Sequence, residues 1–385
     1  MEWRGDVSNI NLYTKENIHH LEWPNNSQFE KNYLLPFIID GATKYVANVE
    51  TEFAILQVGK NIFPLTINDK QYESCYVCSP YNALILYSKE EMGKLKNKLL
   101  EFLLGNLADI CGLALKSARI NQVVSVNNWL LSTNLYPLWN GEEIKKITKF
   151  LITKFPDHVI MFRSLNFESN AALLQKFQQE NYELIPSRQL YIFDRKKSDY
   201  SKHRNIERDE ILLRETHYEI VPHEKIKPTD YSRITELYNQ LYLDKYCHHN
   251  PHFTSELISL WHQHKLLTMQ ALRNQDGVLD GIVGCFDRHE VATIPLVGYD
   301  TNLPQGLGLY RMLMNLSLKH SSIHNLVLNA SSGASDFKSN RGGIAHIEYS
   351  AIHIDHLSFY RKIIWKILNS LLTNLAIPLM KKYKL

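Results

Sequence analysis

Residues 266–298 read as three strand-like runs with no room for a helix between them. The runs 266–272 and 278–286 are joined by Asn274-Gln275-Asp276-Gly277, and 290–298 follows the tight turn Asp287-Arg288-His289. Turns this short return the chain beside itself, so the stretch predicts an antiparallel meander. Around it the apolar spacing changes to a helical period. Residues 230–243 place Ile234, Leu237, Leu241 and Tyr242 on one face. Thr254 suits an N-cap, with Phe253 and Ile258 as a hydrophobic staple, for a second helix ending near His264. Beyond the meander, Pro304-Gln305-Gly306 leads into a helix presenting Leu309, Met312, Leu313 and Leu316. With strands at 218–221, 325–329 and 346–354, the predicted order is strand, two helices, three antiparallel strands, helix, strand, short helix, strand.

The first half is less regular. Residues 1–42 read as polar and irregular, with a turn at Trp23-Pro24-Asn25-Asn26. Strand-like runs at 44–49, 52–58 and 62–67 precede helical material at 89–115 and 142–154. A strand at 158–163, a helix at 169–180 and a strand at 184–193 come next, an alternation that implies α/β architecture. The polar stretch 194–209 reads as a linker with a solvated basic face. The chain's 385 residues suit two domains, 1–200 and 210–356, with an amphipathic helix over 357–385.

Charge and cysteine content exclude some classes of function. Against 40 acidic residues stand 43 basic ones, a net charge of +3 that gives no expectation of nucleic-acid binding. Five cysteines, odd in number and sparse, suit reduced thiols and a cytoplasmic setting, and no secretory signal is visible at the start. Cys75-Tyr76-Val77-Cys78 falls in a strand-like run at 72–78 that would put its thiols on opposite faces, and further metal-spaced ligands are missing. The histidines at 248, 249, 252, 262 and 264 also lack completing carboxylates, so no metal is expected. The most apolar stretch, 363–380, is interrupted by Lys366, Asn369, Ser370, Thr373, Asn374 and Pro378, so no transmembrane segment is expected. Its stripe, Ile363, Ile364, Ile367, Leu368, Leu371, Leu372, Leu375 and Leu379, is followed by Lys381, Lys382 and Lys384. It is expected to pack on its own domain or on a second copy in a homodimer, in preference to a membrane surface.

The predicted order of elements resembles the GNAT superfamily of acyltransferases. In that family a strand leads through a Gln/Arg-x-x-Gly-x-Gly/Ala loop into a helix, and Gln305-Gly306-Leu307-Gly308-Leu309-Tyr310 matches it at Gln305 and Gly308. The last position is Tyr310 where a small residue is usual. A helix start carries unpaired N–H groups that favour an anion, and glycine lets that anion approach. The block 328–343, with Asn329, Ser331, Phe337-Lys338 and Arg341-Gly342-Gly343, is similar to the C-terminal signature of two-lobed GNAT proteins related to FemABX-like transferases. The resemblance implies tandem GNAT-like lobes with mixed, mostly antiparallel sheets flanked by helices, the first lobe degenerate.

It further implies acyl transfer from acyl-CoA, as co-substrate, to an amine of a small-molecule or amino-acid-like acceptor. The rivals are a FemABX-like aminoacyl-tRNA donor and a non-catalytic ligand-binding relic. Gln305, Gly306, Leu307, Gly308, Asn329, Ser331, Lys338 and Arg341 are the expected cofactor-binding residues; Lys338 and Arg341 are spaced to share a helical face. Acyl transfer needs a base and an acid. Asp300 or Glu348 is the expected base, ahead of Glu290, Tyr349 and His353, with Tyr299 as acid or positioning group. The plainer alternatives are a turn-capping role for Asp300 and a salt bridge from Glu348 to Arg341 or Lys338. Arg163, Arg188, Lys245 and Asn250 are expected to bind the acceptor.

Overall fold

The structure is a computed structural model that describes residues 10–92 and 98–383. The chain forms two compact units. One contains the chain up to Pro186 together with Tyr349–Asn374; the other contains Ser187–Glu348 and the residues from Leu375 onward. Both are mixed α/β, with mostly antiparallel sheets flanked by helices.

In the first unit, β1 (Ile10–Tyr13), α1 (Gln28–Asp40), β2 (Glu52–Val58) and β3 (Asn61–Asn68) precede α2 (Tyr87–Met92) and α3 (Lys98–Ser117). Then come β4 (Val123–Val126), α4 (Ile144–Lys154), β5 (Val159–Asn166), α5 (Ala171–Gln179) and the start of β6 (Glu183–Phe193). The sheet runs β1-β2-β3-β4-β5, antiparallel except for β4 beside β5. That exception follows from α4, because a parallel neighbour requires a crossover. Leu56, Phe63, Val124, Ile147, Phe162 and Phe177 meet in its core.

The second unit continues from β6 through α6 (Arg204–Glu215), β7 (Glu219–Pro222), α7 (Tyr231–Asn239) and α8 (Ser255–Gln263). The meander is β8 (Thr268–Arg273), β9 (Leu279–Arg288) and β10 (Val291–Tyr299), followed by α9 (Leu309–Ile323), β11 (Val327–Asn329), α10 (Ser335–Ser339) and β12 (Ile344–His353). Strand order is β6-β11-β10-β9-β8-β7, and only β10 and β11 are parallel. Thr254 caps α8 by accepting from the Leu257 N–H. The second unit thus runs through three antiparallel strands, a helix, a parallel strand, a shorter helix and a strand, and the first follows the same order from β2 onward, with α2 and α3 inserted before its third strand, β4.

Several sequence expectations are corrected. Residues 1–9 lie outside the described residues, and 10–42 are not irregular: α1 buries Tyr33, Leu34, Phe37 and Ile38, and Tyr33 donates to the Trp129 carbonyl at 2.9 Å. Residues 44–49 hold no strand: a 3-10 turn ends at Lys44, and Val46 makes an isolated bridge between turns. The stretch 194–209 is not a linker, since α6 begins at Arg204 and buries Ile206, Asp209 and Leu213. Cys75 and Cys78 do not lie on opposite faces of a strand. They lie in a turn and are both buried, and burial pushes the Cys78 thiol up to about 11.

The C-terminal helix starts as α11 (Phe359–Leu371), widens into one π turn at Leu372–Ala376 and ends as α12 (Ile377–Tyr383). Contrary to expectation, Phe359–Lys382 is long and apolar enough to cross a membrane by length and composition. Its opening turns belong to the first unit's core. Trp365 is 1% exposed in a cluster with Leu115, Ile120 and Ile352. Arg361 donates to the carbonyls of Ala118, Arg119 and Asp157. Trp365→Ala is therefore expected to cost about 3–5 kcal/mol of stability, measured by chemical denaturation.

Candidate active site

The site begins where two strands part. β11 pairs with β10 only over Val291–Thr293, opposite Val327, Leu328 and Asn329, whereas β10 runs on to Tyr299. Within this run the β9–β10 register shifts between Thr293 and Leu296. Pro295 lies inside the shift; proline has no N–H to give a ladder, so a bulge accommodates it. The result is a wedge in which the edge of β10 from Ile294 to Tyr299 has lost β11 as its neighbour.

Helix α9 starts beyond the end of β10. Gln305–Leu307 form a 3-10 turn, Gly308 is left-handed at φ +70°, and no side chain caps the helix. Gly306 is exposed, and a Cβ added to it would meet nothing within 4 Å. Gly308 is different. It is buried, and a Cβ there would lie 2.6 Å from Leu212 of α6. The approach to the helix start is thus open at Gln305, Gly306 and Leu307 and closed at Gly308. Tyr310 turns its ring against Phe337, centroids 4.8 Å apart, with Tyr299 at 6.2 Å. Burial raises the Tyr310 hydroxyl well above its usual range.

The strand end expected to bind an anion is held shut by its own side chains. Asn329 is buried and accepts from the Ser331 N–H at 3.0 Å, which fixes the left-handed Ser331 at φ 59°. Lys338 is 3% exposed rather than facing a ligand. Its Nζ donates to the carbonyls of Ala330 and Ser332 at 2.7 Å and of Ser331 at 3.3 Å, cinching the turn. Arg341 also points inward: it gives Nε and a terminal N–H to the two oxygens of Asp209, at 2.5 and 3.1 Å. Its guanidinium lies 3.5 Å over the Phe337 ring. The expected shared outward face of Lys338 and Arg341 does not exist, because burying either cation required donating to protein oxygens.

Asp209 and Arg311 were missed in the sequence. Asp209 also accepts from Arg311 Nε at 2.6 Å, so one carboxylate joins α6, the first turn of α9 and the end of α10. Two guanidiniums against one carboxylate leave a net positive charge beside the α9 start, and the Arg311 side chain is 40% exposed there. The available signal was Ile206 and Leu213, seven apart on a helical period within a polar stretch.

Both expected bases are paired with arginines. Asp300 caps a turn, accepting from the Asn302 N–H at 2.9 Å, and accepts from Arg233 at 2.6 Å. Burial alone would raise its carboxyl, but the Arg233 and Asn302 hydrogen bonds outweigh burial and hold it below the usual range. Glu348 is buried in a pair with Arg188, at 2.9 and 3.3 Å, rather than with Arg341 or Lys338. Of the acceptor-binding candidates, Arg188 is therefore bound to Glu348, and Asn250 is buried while donating to the carbonyls of Tyr242 and Cys247. Arg163 belongs to the first unit and donates to the Val77 carbonyl. Lys245 alone reaches the wedge: its Nζ lies 2.9 Å from the Tyr299 hydroxyl. That hydrogen bond raises the Lys245 amine above its ordinary range. A cavity of about 300 Å³ lies elsewhere in this unit, lined by Pro222, Met269, Leu316 and His320 among others.

No protein-family profile and no curated protein matches the sequence. Among solved structures, the chain is similar to a tandem GNAT protein from the clavulanic acid biosynthesis pathway. The identity is 8% over 89% of this chain and 98% of that one, with a TM-score of 0.38. It is also similar to FemX, at 7% identity over 59% and 78% of the two chains and a TM-score of 0.44. The structure of L-PGS from Bacillus licheniformis gives 13% identity over 59% and 77%, with a TM-score of 0.42.

Two outcomes test the electrostatics of the site. Asp209→Ala strands the buried Arg341 and is expected to cost about 3–5 kcal/mol in urea denaturation. Burial, and then the neighbouring Arg188, push the Lys338 amine down to about 7. Between that value and the ordinary lysine range the unfolded chain binds more protons, so stability rises with pH. The unfolding free energy of the wild type, relative to Lys338→Met, is expected to grow as pH is raised from 7 towards 10.

Proposed function

We propose that the second unit is a GNAT-type N-acyltransferase lobe that takes an acyl group from acyl-CoA and gives it to an amine of a small, amino-acid-like acceptor. The observation that carries this reading is the wedge beside β10, which opens next to an uncapped helix start at an open glycine. The β10 edge that β11 leaves beyond Thr293 would offer backbone groups to an extended amide chain. The amides opening α9, with Arg311, offer cationic and dipolar contacts to a pyrophosphate. Acyl-CoA would supply an acyl group already activated as a thioester.

Tyr299 is the proton donor in this reading. As the acceptor nitrogen bonds to the acyl carbon and the carbon–sulfur bond breaks, its hydroxyl gives a proton to the departing sulfur. The Lys245 ammonium, 2.9 Å away, stabilises the phenolate left behind until the proton shed by the new amide nitrogen returns to it and restores the hydroxyl. Asp300 and Glu348 are positioning residues, since both are committed to arginines. The first unit is the degenerate lobe. At its corresponding turn, between β4 and α4, Trp129 is fully buried, with its backbone N–H and ring N–H donating to Asn134 and Asn127.

Isothermal titration with acetyl-CoA and longer acyl-CoAs is the direct test, with saturable binding expected and no binding to any of them fatal to the reading. Tyr299→Phe is expected to lower kcat about 100-fold with acyl-CoA affinity retained. A non-catalytic ligand-binding relic is the second reading, favoured by the Tyr310 ring between Tyr299 and Phe337 and by Leu212 over Gly308. It predicts binding without turnover, and retention of charged tRNA at low salt in place of acyl-CoA would indicate an aminoacyl-tRNA donor.

A further inference from the structure

We infer that the C-terminal helix is an interfacial anchor that lays the first unit on an anionic lipid surface. The helix has two unlike faces. Ile364, Trp365, Leu368 and Leu372 pack on the first unit's cluster, whereas Phe359, Ile363, Ile367, Leu371, Leu375 and Leu379 are exposed, Phe359 by 76% and Ile367 by 52%. A four-residue repeat drifts around a helix of 3.6 residues per turn, and the wide π turn at Leu372–Ala376 offsets that drift. Leu375, in this turn, and Leu379, after it in the sequence, are also exposed. Its neighbour α3, joined to it through Ser117 and Tyr360 and packed on the same cluster, exposes Phe102, Ile110 and Leu113.

Charge selects the occupant. From Phe359 to Tyr383 the chain carries Arg361, Lys362, Lys366, Lys381 and Lys382 and neither aspartate nor glutamate. Arg361 is turned inward, and Lys362, Lys366 and Lys381 lie along the helix. A second copy docking on this line would set lysines against lysines. Anionic headgroups instead complement them while the leucines and isoleucines enter the acyl boundary. The helix lies in the interface and does not span. Arg361 and Trp365 hold its opening turns in the folded unit, and the helix beyond Trp365 falls short of the ~20 apolar residues a crossing needs.

The test uses the full chain with vesicles of phosphatidylcholine alone and of an equimolar phosphatidylcholine–phosphatidylglycerol mixture. Co-sedimentation with the mixed vesicles is expected, about tenfold weaker on pure phosphatidylcholine or at high salt. Ile367→Glu combined with Leu371→Glu changes only exposed positions and is expected to abolish it, with an unchanged thermal melt reporting an intact fold. Absence of co-sedimentation, or equal binding by the double variant, overturns the inference. So does resistance to an alkaline carbonate wash, which marks a spanning helix. A concentration-dependent dimer abolished by the same variant, without vesicle binding, would assign the face to a second copy instead. None of these readouts depends on acyl-CoA binding.

Discussion

One buried carboxylate organises the second unit. Asp209 accepts from Arg311 and Arg341, which lie at opposite ends of the segment that frames the wedge. Its burial is tolerable because both oxygens are bonded by guanidiniums, whose strongly directional donors suit a carboxylate. The pairing fixes α6 across the opening of α9, brings Leu212 against Gly308 and orients Phe337 beneath Arg341. The limited opening at Gly306 and the placement of Tyr310 are consequences of this tie.

The same logic governs the polar residues around it. Lys338 donates to three carbonyls, Glu348 pairs with Arg188, Asp300 with Arg233, and Asn250 donates to the carbonyls of Tyr242 and Cys247. Each is a buried or half-buried polar group satisfied by protein, the ordinary condition for burial. Tyr299, with Lys245 beside it, is instead held by a single side-chain hydrogen bond at the wedge, and the proposed proton-donor role rests on that pair.

The two units share a succession of elements but differ at the turn after their third antiparallel strand. In the second unit that turn exposes Gln305, Gly306 and Leu307; in the first it folds inward around Trp129, Asn127 and Asn134. A large aromatic ring with its N–H satisfied occupies volume that a ligand would need. The open turn at Gly306 thus has no counterpart at the corresponding turn of the first unit.

By itself the sequence determined the local elements of the second unit. The meander, the Thr254 cap, the amphipathic α9 and the short strands on either side of α10 came from turn residues, apolar period and capping chemistry. All of these act within a few residues. Tertiary structure alone decided the fate of the charged candidates. Lys338, Arg341 and Glu348 looked available because their spacing was right, but their partners come from far along the chain, as Arg188 does for Glu348 and Asp209 for Arg341. α6 was lost for a related reason: its outer face is so polar that Ile206 and Leu213 gave only a faint period. Side-chain spacing reports which face a residue takes, while burial and the partner that satisfies it depend on strands and helices converging in space.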